Sequence, residues 1–232
     1  MPKVAAIIFD LDGTLVASGR DIARSANHVR EALGLPALPE ATARSYVGDG
    51  VVRLLERTLG HDSATGRTGA AGRAVTPDEL RRGLDLFAAH YADHLLDTTR
   101  PYPGVPETLA ALAHVPLLVA TNKPRGFTDA ILAGCGLDGV FARVVGGDEP
   151  PARKPDPAHL AMATAGLGLE PARVVMVGDS PNDVNAARAF GCVSVGCTFG
   201  LVERAVVLAS RPDHVIDAFG ELPAVLADGQ GS

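Results

Sequence analysis

The stretch Ile7-Ile8-Phe9-Asp10-Leu11-Asp12-Gly13-Thr14-Leu15-Val16 ends an apolar run in two carboxylates and a Gly-Thr turn. The run that leads into it, Val4-Ala5-Ala6-Ile7-Ile8-Phe9, is continuous rather than alternating. That is the pattern of a parallel strand covered on both faces, so a strand in the middle of a sheet is expected. Acids at the carboxyl end of such a strand stand where α/β sheets open their ligand crevice, and side chains at i and i+2 point the same way. Asp10 and Asp12 should therefore converge on one site. Two close carboxylates repel unless positive charge lies near them. A divalent metal together with a phosphate-directed lysine is one arrangement that meets this need; a solvated Asp-Gly turn is the plainer one.

Composition narrows the class. The chain has 232 residues, 47% hydrophobic and 21% charged, enough to bury a full core as one large domain or two modest ones. A net charge of −6 argues against a nucleic-acid or anionic-membrane surface and leaves room for a local cationic pocket that takes a small anion. The apolar runs are all far below spanning length, and Met1-Pro2-Lys3-Val4 enters the first strand without a signal-peptide layout, so a cytoplasmic location is expected. Cys135, Cys192 and Cys197 are odd in number and lack C-x-x-C spacing, which reads as reduced, buried thiols rather than a zinc or disulfide framework.

Two textures follow the opening strand. The first is helical. Ser18 and Asp21 form a candidate capping box, apolar residues recur at Ile22, Ala26, Val29 and Leu33, and Gly34 and Pro36 end that helix. A second pattern uses Val51, Leu55 and Leu59. A third starts at Thr76-Pro77-Asp78-Glu79 and buries Leu80, Leu84, Phe87, Tyr91 and Leu95. Between them, Gly60–Val75 is poor in large apolar residues and reads as a mobile loop without visible chemistry, tolerant of shortening. From Tyr102-Pro103-Gly104 onward, helices alternate with short apolar runs, the signature of βαβ units on a parallel sheet. Strands are expected at Pro116–Thr121, Val140–Val145, Arg173–Gly178, Val193–Thr198 and Asp213–Ile216. The fold class is thus α/β, a Rossmann-like parallel sheet core of residues 1–14 and 97–232. A small all-helical domain, residues 15–96, is inserted after the first strand, where it would sit over the crevice like a lid.

The polar residues fall at the carboxyl ends of these strands. Thr121-Asn122-Lys123 ends one, and Asp179 ends another, followed by a helix opened by Pro181 that carries Asp183. Between them Lys154 stands among prolines in a loop. D-x-D-G-T-L-V, then T-N-K at a strand end, then K-P-x-P, then G-D-S-x-x-D resembles the ordered signature of the haloacid dehalogenase-like hydrolases, over nearly the whole chain. The helical insert resembles the small cap of that family's phosphoglycolate phosphatase branch. So do Tyr46–Leu59, Val144–Pro157, Gly191–Gly200 and Arg211–Leu226.

Phosphoryl transfer needs an in-line nucleophile, cations on the equatorial oxygens and a proton donor for the leaving alkoxide. By the resemblance, Asp10 is the nucleophile, forming an aspartyl-phosphate, and Asp12 is the general acid and base. Magnesium would be held by Asp10, Asp179 and the backbone carbonyl of Asp12, with Asp183 helping through water or by orienting the other ligands. Thr121 and Lys154 would hold the phosphoryl oxygens. The implied substrate is a small phosphorylated molecule, 2-phosphoglycolate first, with a sugar phosphate or pyrophosphate as the alternative. A dehalogenase has no use for Asp12 as acid, and a silent binding module would be expected to lack one of these residues. A substrate carboxylate calls for a second cation. Lys123 is the best-placed candidate, Asn122 adjoins it, and Arg20, Arg44 and Arg53 could close from the helical insert. The assembly would be a monomer or homodimer with no nucleic-acid or membrane partner.

Other features read as structural. His90 and His94 lie at i,i+4 without an accompanying H-E-x-x-H glutamate and read as a helix edge. Gly146-Gly147-Asp148 lacks G-x-G-x-x-G, which leaves Asp148 as a turn or site-support residue. Two departures from the branch, Ala17 in place of a third acid and Arg20 where a small residue or proline is common, bear on the hinge and the substrate end and leave Asp10 untouched.

Overall fold

In the computed structural model, which describes residues 3–69 and 72–228, the opening run forms β1 (Ala6–Phe9). It is flanked in space by β2 (Leu117–Ala120) and β4 (Val174–Gly178). Then come β3 (Arg143–Val145) on one side and β5 (Val193–Cys197) and β6 (His214–Ile216) on the other. Among the described residues the sheet has six strands in the order β3-β2-β1-β4-β5-β6, and every pairing is parallel. The α/β class and all six strands were legible in the sequence. The strands are trimmed at their ends relative to the expected spans, β3 most: Val140 lies in a turn closed on Leu137, next to Gly139 with φ of +75°, so pairing starts only at Arg143.

The unbroken apolar runs have the predicted cause, burial on both faces. Ala6 and Ile8 share one face with Leu118, Ala120, Val174 and Met176, packed against Leu160 and Ala163 of α7 (Ala158–Thr164) and Ala186 and Ala187 of α8 (Pro181–Phe190). Phe9 points to the other face, its ring 5.8 Å from Phe219 and 6.3 Å from Phe141. Register pairs Phe9 with Val119 and with Val177, so Asp10, Thr121 and Asp179 leave the sheet at nearly the same level. The order places β1 where the strand sequence reverses direction, which is where such sheets open a crevice.

The chain divides into two compact units. One is the chain up to Ala17 and from Arg100 onward, and the other is Ser18–Thr99. Entry and exit are paired within the first unit: Ala17 N–H donates to Arg100 O at 2.9 Å and Tyr102 N–H to Leu15 O at 3.0 Å. Among its described residues the second unit is helical: α1 (Gly19–Ala32), α2 (Glu40–Arg44), α3 (Val51–Leu59) and α4 (Pro77–His94). α4 opens on a full capping box between Thr76 and Glu79, with Pro77 at its first position. Gly83 lets α4 approach closely, since a Cβ there would stand 3.3 Å from Val29 and 3.2 Å from Leu59.

Two expectations are corrected here. Ser18 and Asp21 do not form a capping box: Ser18 makes no side-chain cap bond, and the buried Asp21 carboxylate accepts from the backbone and hydroxyls of Thr98 and Thr99 at 2.6–3.2 Å. Nor is the Gly60–Val75 segment featureless. Residues 70 and 71 lie outside the described residues, but Asp62 to Arg67 close a turn, with Asp62 N–H donating to Arg67 O at 2.8 Å and Gly66 N–H to Asp62 O at 2.7 Å. Arg30, 1% exposed, anchors that turn. Its guanidinium donates to Pro36 O (2.7 Å), Thr58 O, His61 O (3.4 Å) and Ser63 Oγ (3.2 Å). Among the described residues no helix is long and apolar enough to cross a membrane.

Because Arg30 binds the buried Thr58 carbonyl together with the part-buried carbonyls of Pro36 and His61, Arg30→Met leaves them without this donor. Each orphaned acceptor costs about 1–3 kcal/mol, so a destabilisation of roughly 2–4 kcal/mol is expected in urea unfolding followed by circular dichroism. A loss under about 0.5 kcal/mol would show that the guanidinium does not organise this unit.

Candidate active site

Five segments meet at the carboxyl edge of the sheet, all within the first unit. Asp10 follows β1, Thr121 follows β2, Lys154 lies in the loop after β3, Asp179 follows β4 and Asp183 stands in the first turn of α8. The Lys154 ammonium, with a side chain 1% exposed, lies 3.0 Å from Asp10 Oδ1 and 2.6 Å from Asp183 Oδ1. One oxygen from each of Asp10, Asp179 and Asp183 lies within 4.8 Å of the other two. Asp12 points to a second lysine instead, with Lys123 Nζ donating to its Oδ2 at 2.9 Å.

Each acid is fixed by its own surroundings. Asp183 Oδ2 accepts from Ser180 Oγ at 2.7 Å and Ser180 N–H at 3.1 Å, the capping box that starts α8. Asp179 Oδ2 accepts from the backbone of Leu201 at 2.6 Å and Val202 at 3.3 Å. Glycines make the room. A Cβ on Gly13, where φ is +85°, would lie 2.1 Å from Asp179 Oδ2; one on Gly200 would lie 2.3 Å from it; and one on Gly178 would lie 2.2 Å from Asp183 Cγ. Asp148, expected as a support, accepts from Arg125 N–H at 2.7 Å where α6 (Arg125–Gly134) begins.

The Asn122 side chain joins its strand end to the Lys154 loop. Its Nδ2 donates to Lys154 O at 3.1 Å and its Oδ1 accepts from Lys154 N–H at 3.0 Å, so the amide clamps the lysine's main chain. Thr121 is buried beside it, and its hydroxyl accepts from Lys123 N–H at 3.3 Å. The three arginines belong to the helical unit. Arg20 pairs with Glu40 at 3.3 Å, Arg53 with Glu56 at 2.6 Å, and Arg44 is an exposed residue of α2.

The electrostatics are those of an acid cluster short of positive charge. Burial raises the Asp10 carboxyl to about 6; Lys154 opposes this, while Asp183 and Asp12 add to it. Burial, with Asp10 and Asp183, lifts Asp179 well above the carboxylate range. Burial alone would pull the Lys154 ammonium down, but Asp10 and Asp183 outweigh it and the net direction is up. An all-oxygen set of three converging carboxylates, two of them hard to ionise beside a single lysine, fits a hard divalent cation. The Asp12 carboxylate pairs with Lys123 and is not among the converging three.

Ser180 was missed in the sequence although S-x-x-D before a helix is a capping signal. The roles of Gly200 and of the Leu201 and Val202 amides have no local signature. They come from a loop brought over Asp179 by the return of β5.

A model of the haloacid dehalogenase-like hydrolases matches residues 4–191. The phosphoglycolate phosphatase of Neisseria meningitidis is 40% identical over 227 residues, covering 96% of this chain and 92% of that protein. A phosphoglycolate phosphatase of Haemophilus influenzae is 39% identical, covering 94% and 96%. A crystal structure from Haemophilus somnus, described as a predicted phosphoglycolate phosphatase, superposes with a TM-score of 0.88 at 34% identity, covering 97% of this chain and 99% of that one.

The raised Asp10 carboxyl has a signed consequence. Between its ordinary value of 3.8 and about 6, the metal-free folded chain holds a proton that the unfolded chain does not. That contribution to stability is full below about pH 4 and is lost as pH rises through about 6. Asp10→Asn has no such dependence. In chelator, its stability relative to the natural chain should rise by on the order of 2 kcal/mol between about pH 4 and pH 7. A difference that is flat or falls with pH in urea titrations would contradict this.

Proposed function

The chain belongs to the haloacid dehalogenase-like hydrolases, and on that premise we propose that it is a magnesium-dependent phosphatase that hydrolyses 2-phosphoglycolate to glycolate and phosphate. The observation that carries the chemistry is the buried Lys154 ammonium between Asp10 and Asp183, with Asp179 beside them. The substrate rests on the curated relatives, which bear the name phosphoglycolate phosphatase over nearly their full length.

Asp10 attacks phosphorus while Asp12 gives its proton to the departing glycolate oxygen, leaving the phosphoryl group on Asp10. Asp12 then takes a proton from water, which attacks the same phosphorus and breaks its bond to Asp10, releasing phosphate and restoring the Asp10 carboxylate. Thr121 and Lys154 hold the phosphoryl oxygens, and Lys154 also neutralises charge that grows on them. Asp10, Asp179 and Asp183 would hold magnesium, which when bound supplies further charge neutralisation and favours ionised Asp10. Asp183, already engaged by Ser180 and Lys154, serves mainly to orient that set.

Lys123 supplies the second cation, and its ammonium faces Asp12. We assign residues 15–96 the role of a cap, with Arg20, Arg44 and Arg53 as its contributions to the substrate end.

Asp10→Asn should abolish turnover, because an amide is a poor nucleophile and a weaker ligand. Residual activity within about tenfold of the natural enzyme, only about 1.4 kcal/mol in barrier, would contradict nucleophilic attack by Asp10. Lys123→Ala separates two roles. If Lys123 reads the substrate carboxylate, KM rises about ten- to a hundredfold more for phosphoglycolate than for p-nitrophenyl phosphate, as expected for a charge-assisted contact of about 1.5–3 kcal/mol. If it only positions Asp12, kcat falls equally for both. Hydrolysis of sugar phosphates or pyrophosphate more than about ten times as efficient as that of phosphoglycolate would overturn the substrate and leave the phosphatase mechanism standing.

A further inference from the structure

The Gly146-Gly147-Asp148 turn after β3 is not used by the phosphatase chemistry, yet it packs against the segment after β2 that carries Thr121, Asn122 and Lys123. Neither glycine has a positive φ, so backbone conformation does not call for them. Space does. A Cβ on Gly147 would stand 2.5 Å from the Asn122 carbonyl carbon, and one on Gly146 would stand 2.5 Å from Arg125 N. Both neighbours are main chain and cannot swing aside as a side chain would. Two glycines in a row let the chain leaving β3 lie directly on residues 122–125.

The close approach places hydrogen bonds on either side of Pro124. Gly147 N–H donates to Lys123 O at 2.7 Å. Asp148 Oδ1 accepts from Arg125 N–H at 2.7 Å at the start of α6, where Pro124 offers no side-chain cap. Lys123 and Arg125 are thus pinned to one turn, and the proline between them has a fixed φ. The turn is held in its own right. Gly146 N–H donates to Glu149 Oε2 at 2.6 Å, and Gly147 O accepts at 2.8 Å from Nε of Arg153, the residue before Lys154. The Lys123 side chain leaves this frame nearly buried and ends 2.9 Å from Asp12 Oδ2. A flexible four-carbon stem keeps one direction at low entropic cost only when the main chain it grows from is fixed.

We propose that Gly147 and Asp148 are positioning residues, which hold the Lys123 main chain so that its ammonium is aimed at Asp12. They act through Lys123 rather than on the substrate. The consequence for turnover rests on the phosphatase reading, in which Asp12 is the general acid; the consequence for the lysine itself does not.

The test uses the fact that the chain has three lysines, Lys3, Lys123 and Lys154. Lys3 is exposed and Lys154 is buried, so brief acetylation of the full-length protein with acetic anhydride, followed by peptide mass spectrometry, carries its own controls. In the natural chain the label falls on Lys3, with Lys123 and Lys154 protected. Gly147→Ala and Asp148→Ala should each raise labelling of Lys123 about fivefold, the scale of one lost hydrogen bond, while Lys154 stays protected. Asp148→Asn keeps an acceptor oxygen and should label as the natural chain does. In turnover, Asp148→Ala should lower kcat/KM about three- to tenfold in the natural background and leave the Lys123→Ala enzyme unchanged, because nothing remains to be positioned once the ammonium is gone. Lys123 as protected in Asp148→Ala as in the natural chain would overturn the proposal. So would equal exposure of Lys154, which marks general loosening, or an Asp148→Asn protein that labels like Asp148→Ala. Should Gly147→Ala fail to fold, the two Asp148 variants decide the matter, since that side chain is exposed. Labelling needs no turnover, so a chain without phosphatase activity would still report on the positioning, and the two readings fail separately.

Discussion

The buried Lys154 ammonium makes the rest of the acid-lined edge possible. Lys154 touches Asp10 and Asp183 at 3.0 and 2.6 Å with almost no solvent around it. Removing its charge would leave carboxylates facing one another in a medium that screens them poorly, and burial already favours their neutral forms. Its placement is correspondingly well determined. The loop is flanked by prolines, its main chain is bound on both sides by the Asn122 amide, and Asp183 is held in turn by Ser180 at the start of α8. A buried ion pair of this kind contributes little net stability, because desolvation offsets attraction. What it provides is a fixed arrangement of charge in which Asp10 can be ionised when a cation is present.

That arrangement depends on the sheet as much as on the charges. Parallel strands in register deliver Asp10, Thr121 and Asp179 at one level, and the glycines at 13, 178 and 200 leave the space that the acids occupy. Each of those positions would clash with a carboxylate if it bore even a methyl group. The helical unit relies on a different device. Arg30 gathers carbonyls from the loop after α1, from α3 and from the following turn, where a purely apolar core would leave those groups without this donor.

The parts legible in the sequence share a physical reason. Strands buried on both faces are continuous apolar runs, and polar residues stand at their ends or in the adjoining segments, so residue type and position placed Asp10, Asp12, Thr121, Lys154, Asp179 and Asp183 at one crevice. What escaped the reading was partnership across distance. Nothing local says that Asn122 will clamp Lys154, that Lys123 will face Asp12, or that Asp21 will bind Thr98 and Thr99 rather than cap its own helix. The turn at Asp62–Arg67 looked featureless because its order comes from Arg30, far away in the chain. α2, with five residues, is too short for periodicity to show.

The central claim is that Asp10, kept among these charges, carries the phosphoryl group during turnover. Rapid quench of the enzyme with phosphate-labelled 2-phosphoglycolate, followed by borohydride reduction and peptide mass spectrometry, tests it most directly. The account predicts an acyl-phosphate trapped at Asp10, and its reduction to homoserine at that position alone. Turnover with no covalent label, or label on Asp12 or any other residue, would contradict it.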